Sequence, residues 1–226
     1  MRLGFDARIW CRRVLRRMVV FLLGLTSVVL SGEIVFENRF ERDGETDGLD
    51  PFFVLSGDFS IQVFENRRCL ELSAAPLGEH GLLFGPRKSG RIRVSTSVFA
   101  ESKGRLRSDF GFGAFGVGGF RCVVSGAKQK LFLFRGKALL AEATFSSQGG
   151  RWLRGILDCE PGGDGRWLVR AKIWPESKCE PNDWNVEASQ VEAPPRGRAT
   201  LWGIPFAERP IRFDDLTVES PDVRAK

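Results

Sequence analysis

From residue 33 almost to the end of the chain, short runs that alternate or are rich in Phe and β-branched residues are separated by Gly, Asp, Asn and Pro. Successive strand side chains face opposite ways, so a period of two predicts strands. They are predicted near 33–40, 59–64, 67–73, 81–85, 91–99, 107–115, 118–125, 129–135, 138–145, 151–158, 166–174, 198–203 and 211–219. The clearest alternation is in 166–174. Trp167, Val169, Ala171 and Ile173 share one face there, and Arg166, Leu168, Arg170 and Lys172 share the other, which is expected to be wet. Residues 131–145 predict a hairpin turning at Gly136, where positive φ is open to glycine, and a second hairpin turns at 162–165. Nothing after residue 32 reads as a long amphipathic helix. Residues 175–197 are predicted to be a long loop that ends extended at Pro194-Pro195.

The last predicted strand, "IRFDDLTVE" (211–219), breaks its own alternation. Ile211 and Phe213 share one parity and Leu216 and Val218 the other, with the change at Asp214-Asp215. A β-bulge at this point would let both halves face one core and re-aim a carboxylate. "VFENR" occurs at 35–39 and 63–67, too short a match to make a structural repeat. "GFGAFGVGGF" (111–120) has neither the Rossmann nor the P-loop pattern, and its glycines are expected to permit tight packing or a bulge.

The first 32 residues read differently. Six arginines and one acid, Asp6, precede the uncharged run Met18–Leu30, and Ser31 and Gly32 follow. These are the three parts of a secretory signal, and Val29 and Ser31 suit the −3 and −1 positions of cleavage. The apolar run is shorter than the ~20 residues of a spanning helix, which makes an uncleaved signal anchor the alternative. The expected protein is therefore secreted, periplasmic or part of the cell envelope, with no membrane contact beyond this segment. Removing it changes the electrostatics. The whole chain is +6, but the remainder holds 28 positive and 27 negative residues, about +1. A basic nucleic-acid footprint is thus unsupported.

Residues 33–226 fit one domain of a size common for an all-β sandwich. Such a domain buries roughly 70% of its unfolded surface and needs no disulfide to form a core. Cys69, Cys122, Cys159 and Cys179 remain after the leader, as buried thiols or as one or two bridges; no zinc or redox spacing joins them.

"VRAKIWPESKCEPNDWNVEA" followed by "GRATLWGIPFAERPIRFDDLTVE" resembles the closing part of concanavalin A-like lectin/glucanase (laminin G-like) domains of exported bacterial proteins. "ENRFE" and "LSGDFSIQVFENRRCLELS" resemble the opening of such domains. The resemblance covers roughly residues 33–219. It implies a two-sheet antiparallel jelly-roll sandwich with the first and last strands adjacent. It also implies binding of a polysaccharide or glycoconjugate, a purely structural or protein-interaction role, or, in some branches, glycan hydrolysis; fold alone does not choose among them.

A retaining hydrolase of that kind needs two carboxylates ~5 Å apart on one face, and its Glu-x-Asp-x-x-Glu hexad is missing here. The acid pairs Glu33/Glu37 and Glu41/Asp43 flank the first strand, and His80 has Glu79 beside it but no recognisable nucleophile. No catalytic residue is assigned on this basis. Sugar rings stack on aromatics, and Trp184, in the polar "EPNDWNVE" loop, is the candidate for an exposed ring. Trp167 is expected in the core from its parity, and the resemblance implies the same for Trp174 and Trp202. The resemblance further implies a structural calcium ion joining the first and last strands, with Asp214, Asp215 and Glu37 as carboxylate ligands, Asp58 as a further acid, and Gly57 offering a carbonyl. The competing reading has Asp214 and Asp215 capping the bulge through hydrogen bonds.

Overall fold

The computed structural model describes residues 32–220 apart from 42–48, 75–77, 104–105, 147–148, 191 and 207. The expected export segment, Gly32 excepted, lies outside the described residues, as does Asp43.

All the regular elements described are strands, and two antiparallel sheets hold most of them. The eight-stranded sheet runs β15 (Val186–Gln190), β14 (Trp167–Pro175), β13 (Trp152–Pro161), β6 (Ile92–Ala100), β17 (Ile211–Ser220), β4 (Arg67–Leu72), β3 (Phe59–Phe64), with β1 (Glu33–Asn38) also paired to β17. The seven-stranded sheet runs β12 (Ala138–Thr144), β11 (Lys130–Arg135), β10 (Phe120–Ser125), β9 (Asp109–Ala114), β16 (Gly197–Ile204), β5 (His80–Lys88), β2 (Phe53–Ser56). Two-residue strands β7 (Ser102–Lys103) and β8 (Leu106–Arg107) pair with each other. This is the expected all-β jelly-roll sandwich, and the first and last strands are neighbours.

The period-two pattern builds the core. Leu82, Phe84, Phe110, Phe112, Leu131, Leu133 and Leu201 of one sheet are buried with Leu70, Leu72, Val94, Leu157, Val169 and Phe213 of the other. Each such side chain contributes roughly 1.5–3 kcal/mol by leaving water. The sheets fit closely: a Cβ added to Gly155 on β13 would lie 2.6 Å from the Phe112 ring opposite. The two expected hairpins are present, with Gly136 at φ 53° and Gly165 at φ 78°. Cys69, Cys122 and Cys159 are buried thiols and Cys179 is an exposed one, so no bridge forms among them. Burial pushes the Cys69 thiol up to about 11.

Three expectations need correction. The predicted loop 175–197 contains β15 ("VEASQ"), an edge strand paired to β14 with Val186 and Ala188 turned to the core. The four-residue β2 was not predicted either. And the second face of 166–174 is wet only in part: Arg166 is exposed and Leu168 and Arg170 are half-buried, but the segment after β14 folds back over Lys172. Lys172, only 5% exposed, donates to the Pro181 carbonyl, and Ile173 N–H donates to Asn185 Oδ1.

Candidate functional site

On β17 the phase change is a bulge. Asp214 pairs with Ser97 and Thr217 with Ser95, so Asp215 and Leu216 together stand opposite Thr96. Asp215 takes φ 48° and its N–H donates to Asp214 Oδ1 at 2.7 Å. Ile211, Phe213, Leu216 and Val218 consequently all reach the core. The bulge also marks a change of neighbour. β4 flanks β17 up to Phe213, and β1 flanks it from Leu216 onward.

Arg67, at the start of β4, faces the carboxylates left at this junction. Its Nε donates to Asp214, its Nη2 to Asp215 at 2.9 Å, and its Nη1 to Glu176 at 2.7 Å, while Trp152 lies beneath at 4.2 Å. Arg154 reaches Asp215 at 3.3 Å, and Ser97 donates to Glu176. Burial drives the Asp214 carboxyl up to about 6 despite Arg67. Glu176 is also desolvated, yet hydrogen bonds from Arg67 and Ser97 hold it below the usual range. The two "VFENR" segments each send their terminal arginine toward Asp215, Arg39 at 4.0 Å and Arg67 at 2.9 Å. Their backbones differ, however. Glu65 and Asn66 form a positive-φ turn, whereas Glu37 and Asn38 lie in β1, so the repeat is not structural.

This arrangement does not fit the calcium expectation. A hard cation needs oxygen donors converging on one point. Here guanidinium groups take that place at Asp214 and Asp215, and Glu37 is bound by Arg39 at 2.7 Å. Gly57 lies by Leu72 and under His80, and Asp58 binds Ser73. Among the described residues no cluster of three or more His, Cys, Asp or Glu is set to hold a metal. Bulge capping, reinforced by arginine, is the observed role of the pair. Beside it opens a cleft of roughly 400 Å³ lined by Glu37, Arg39, Arg154, Trp174, Glu176 and Asp215, among others.

The tryptophans divide unexpectedly. Trp167 is in the core, against Phe115 and Phe120. Trp174 is buried, but on the outer side of its sheet beneath the folded-back segment, near Lys172. Trp184 is half-buried, its ring against Arg170 at 4.9 Å and Lys172 at 4.7 Å, so cations already contact it. Trp202 leaves the core altogether: Leu201 and Gly203 point inward, and the indole lies half-exposed on the outer face of the seven-stranded sheet.

That outer face carries a second arrangement. Strand pairing aligns Phe53, Leu83, Thr200, Gly113, Arg121, Phe134 and Leu139 as one row across the strands. The next row is Gly81, Trp202, Gly111, Val123, Phe132 and Glu142. Gly111 and Gly113 leave β9 bare between two side-chain-bearing strands. Arg121 on β10 and Trp202 on β16 lean into this lane and meet, the guanidinium 4.8 Å from the indole centre and 5.7 Å from that of Phe134. Thr200 accepts the indole N–H at 2.9 Å, and Gly81 makes room for the ring, since a Cβ there would lie 2.7 Å from it. Arg121 is ion-paired with Glu79. Phe53 and Leu139 end the first row, 60% and 51% exposed.

The sequence expectation places Trp202 in the core and gives Arg121 no role, although the signal for this face is present. Phe110-Gly111-Phe112-Gly113 is an alternating strand with one face empty, and Thr200 shares the parity of Trp202.

At the level of sequence, no family model and no curated protein matches the chain. Solved structures do match its fold. A carbohydrate binding module, CBM66, from Bacillus subtilis aligns with TM-score 0.52 and 13% identity over 75% of this chain and 95% of that one. The carbohydrate recognition domain of Emp46p in its potassium-bound form aligns at 0.59 and 11% identity, over 85% of this chain and 100% of that one. The exoplasmic/lumenal domain of VIP36, bound to Ca2+ and Man2, aligns at 0.52 and 10% identity, over 84% and 88%. At these identities the likeness establishes the lectin-like sandwich and nothing finer.

Proposed function

We propose that this chain is an exported, non-catalytic module that binds a polysaccharide or glycoconjugate on the outer face of its seven-stranded sheet. The observation that carries this is the pair of cross-strand rows around the glycine lane, where Trp202 and Phe134 offer ring surface beside Arg121 and Phe53 ends the row exposed at the sheet edge. Sugars present apolar faces to aromatics and hydroxyls to polar groups, and this face supplies both. The fold shared with a carbohydrate binding module and a carbohydrate recognition domain supports the same reading.

The non-catalytic part is supported by the acids of that face among the described residues, which have partners: Glu79 with Arg121, Glu142 with Lys130, and Asp109 with Ser125 and Gly126. A panel of immobilised polysaccharides tests the proposal. The protein should be retained by some of them without releasing reducing ends, and Trp202→Ala should lose retention while keeping a cooperative melt. Retention indifferent to Trp202 would overturn the assignment of the face. Export is tested by intact mass from the native host, where a product starting near Gly32 is expected and one starting at Met1 would favour the anchor.

A further inference from the structure

Arg121 narrows the class of sugar. A guanidinium laid against rings presents a planar fork of donors matched to carboxylate and sulfate, and it is weakly hydrated, so a bound anion loses little in displacing water from it. The side chain of Arg121 is 18% exposed and fixed by Trp202 and Phe134, which orders it before any ligand arrives. Its partner is of another kind. Glu79 lies outside the strands, its side chain is 47% exposed, and it meets Arg121 through Nη1. One partner is preorganised and the other is an exposed carboxylate that can leave.

We propose that Arg121 is the recognition point for an acidic glycan, one carrying a uronate carboxylate or a sulfate ester, and that Glu79 occupies the anion's place in the free protein. The inference rests on the glycan reading above and adds the ligand's charge. The sugar ring carrying the anion would then lie over the Arg121–Trp202 pair that spans the glycine lane. A side chain on Gly111 or Gly113 would disturb that pair: a Cβ at 113 would sit 2.5 Å from Thr200 Oγ1, and one at 111 would sit 2.5 Å from the Cys122 carbonyl oxygen.

The test is affinity electrophoresis of the full-length protein, kept soluble in a polyoxyethylene detergent that carries no sugar. The gels contain polygalacturonate, a sulfated galactan or an unsubstituted galactan. Retardation by the acidic polymers should exceed that by the neutral one. Arg121→Gln should weaken retardation by the acidic polymers about ten-fold, the size expected for a lost charge-assisted hydrogen bond. Glu79→Gln should strengthen it several-fold, whereas Glu142→Gln, the same charge change one row away, should not. The two acidic gels separate carboxylate from sulfate as the preferred anion. Equal gains from Glu79→Gln and Glu142→Gln would overturn the proposal in favour of general charge attraction. So would a preference for the neutral polymer, and in that case glycan binding itself still stands. Should Arg121→Gln fail to fold, the comparison of the two glutamate variants decides alone. Retention by no polymer would reject the glycan reading and this inference with it.

Discussion

The Arg121 guanidinium lies 4.8 Å from the centre of the Trp202 indole although a whole strand, β9, runs between theirs. Strands separated by a third are about 9.5 Å apart, so the contact exists only because that third strand is bare on this side. Gly111 and Gly113 are therefore part of the site. Their role is to be absent as side chains.

Filling the lane should undo it. Gly113→Val places branched carbon where Thr200 Oγ1 and the Phe120 carbonyl oxygen already lie 2.5 and 2.6 Å from a Cβ. A cost of roughly 1–3 kcal/mol is expected for such overpacking, together with loss of glycan retention. Denaturant unfolding and affinity gels check the two parts, and a variant that retains glycan normally would contradict the role given to the lane.

Trp167 and Trp184 should separate by stability. Trp167→Ala removes a core ring packed on Phe115 and Phe120 and should cost roughly 3–5 kcal/mol. Trp184→Ala leaves the core intact and removes an indole held against Arg170 and Lys172. It should cost about 1 kcal/mol, the scale of a partly exposed cation–π contact. Equal losses in chemical denaturation would show that the segment carrying Trp184 is as integral as the sheets.

At the bulge, arginine rather than calcium is expected to matter. EDTA and added calcium should leave the melting temperature unchanged. Arg67→Met should destabilise by about 2–3 kcal/mol, the low side for breaking a buried pair because the adjoining cleft admits water. A calcium-dependent rise in melting temperature that Asp214→Asn abolishes would restore the metal reading.

Asp214 also predicts a pH dependence. Its folded value of about 6 lies above the roughly 3.9 of an unfolded aspartate. Between these values the folded protein keeps a proton that the unfolded chain has released. The stability contributed by this group is therefore complete below about pH 4 and is lost as pH rises through about 6. Glu176, held low, has the opposite sign, but it is common to wild type and Asp214→Asn. The melting temperature of wild type minus that of Asp214→Asn should fall between about pH 4 and 7, and a flat difference would contradict the buried, elevated carboxyl.

Much of the fold could be read from local pattern. Alternation named the strand faces, and the bulge was legible because Ile211, Phe213, Leu216 and Val218 change parity within one segment. What compensates the two aspartates was not, since Arg67 is 147 residues from Asp214 and no local pattern links them. β15 was hidden because its alternation is short: only Val186 and Ala188 face the core, between exposed Glu187 and Ser189, inside a polar, proline-containing segment. The core position expected for Trp202 came from the resemblance, and a tryptophan in a strand looks alike on either face. Only the polar Thr200 and the bare Gly111 opposite reveal its side.

Which indole meets a glycan decides between the two sheets. The indole N–H signals of the tryptophans resolve by nitrogen-15 correlation spectroscopy and can be assigned by single Trp→Phe variants. Titration with an oligosaccharide cut from a retained polymer should move the Trp202 indole signal and the Arg121 Nε–H signal together, leaving Trp167, Trp174 and Trp184 in place. Movement of Trp184 or Trp174 with Trp202 unchanged would put the glycan on the opposite sheet and contradict the site described.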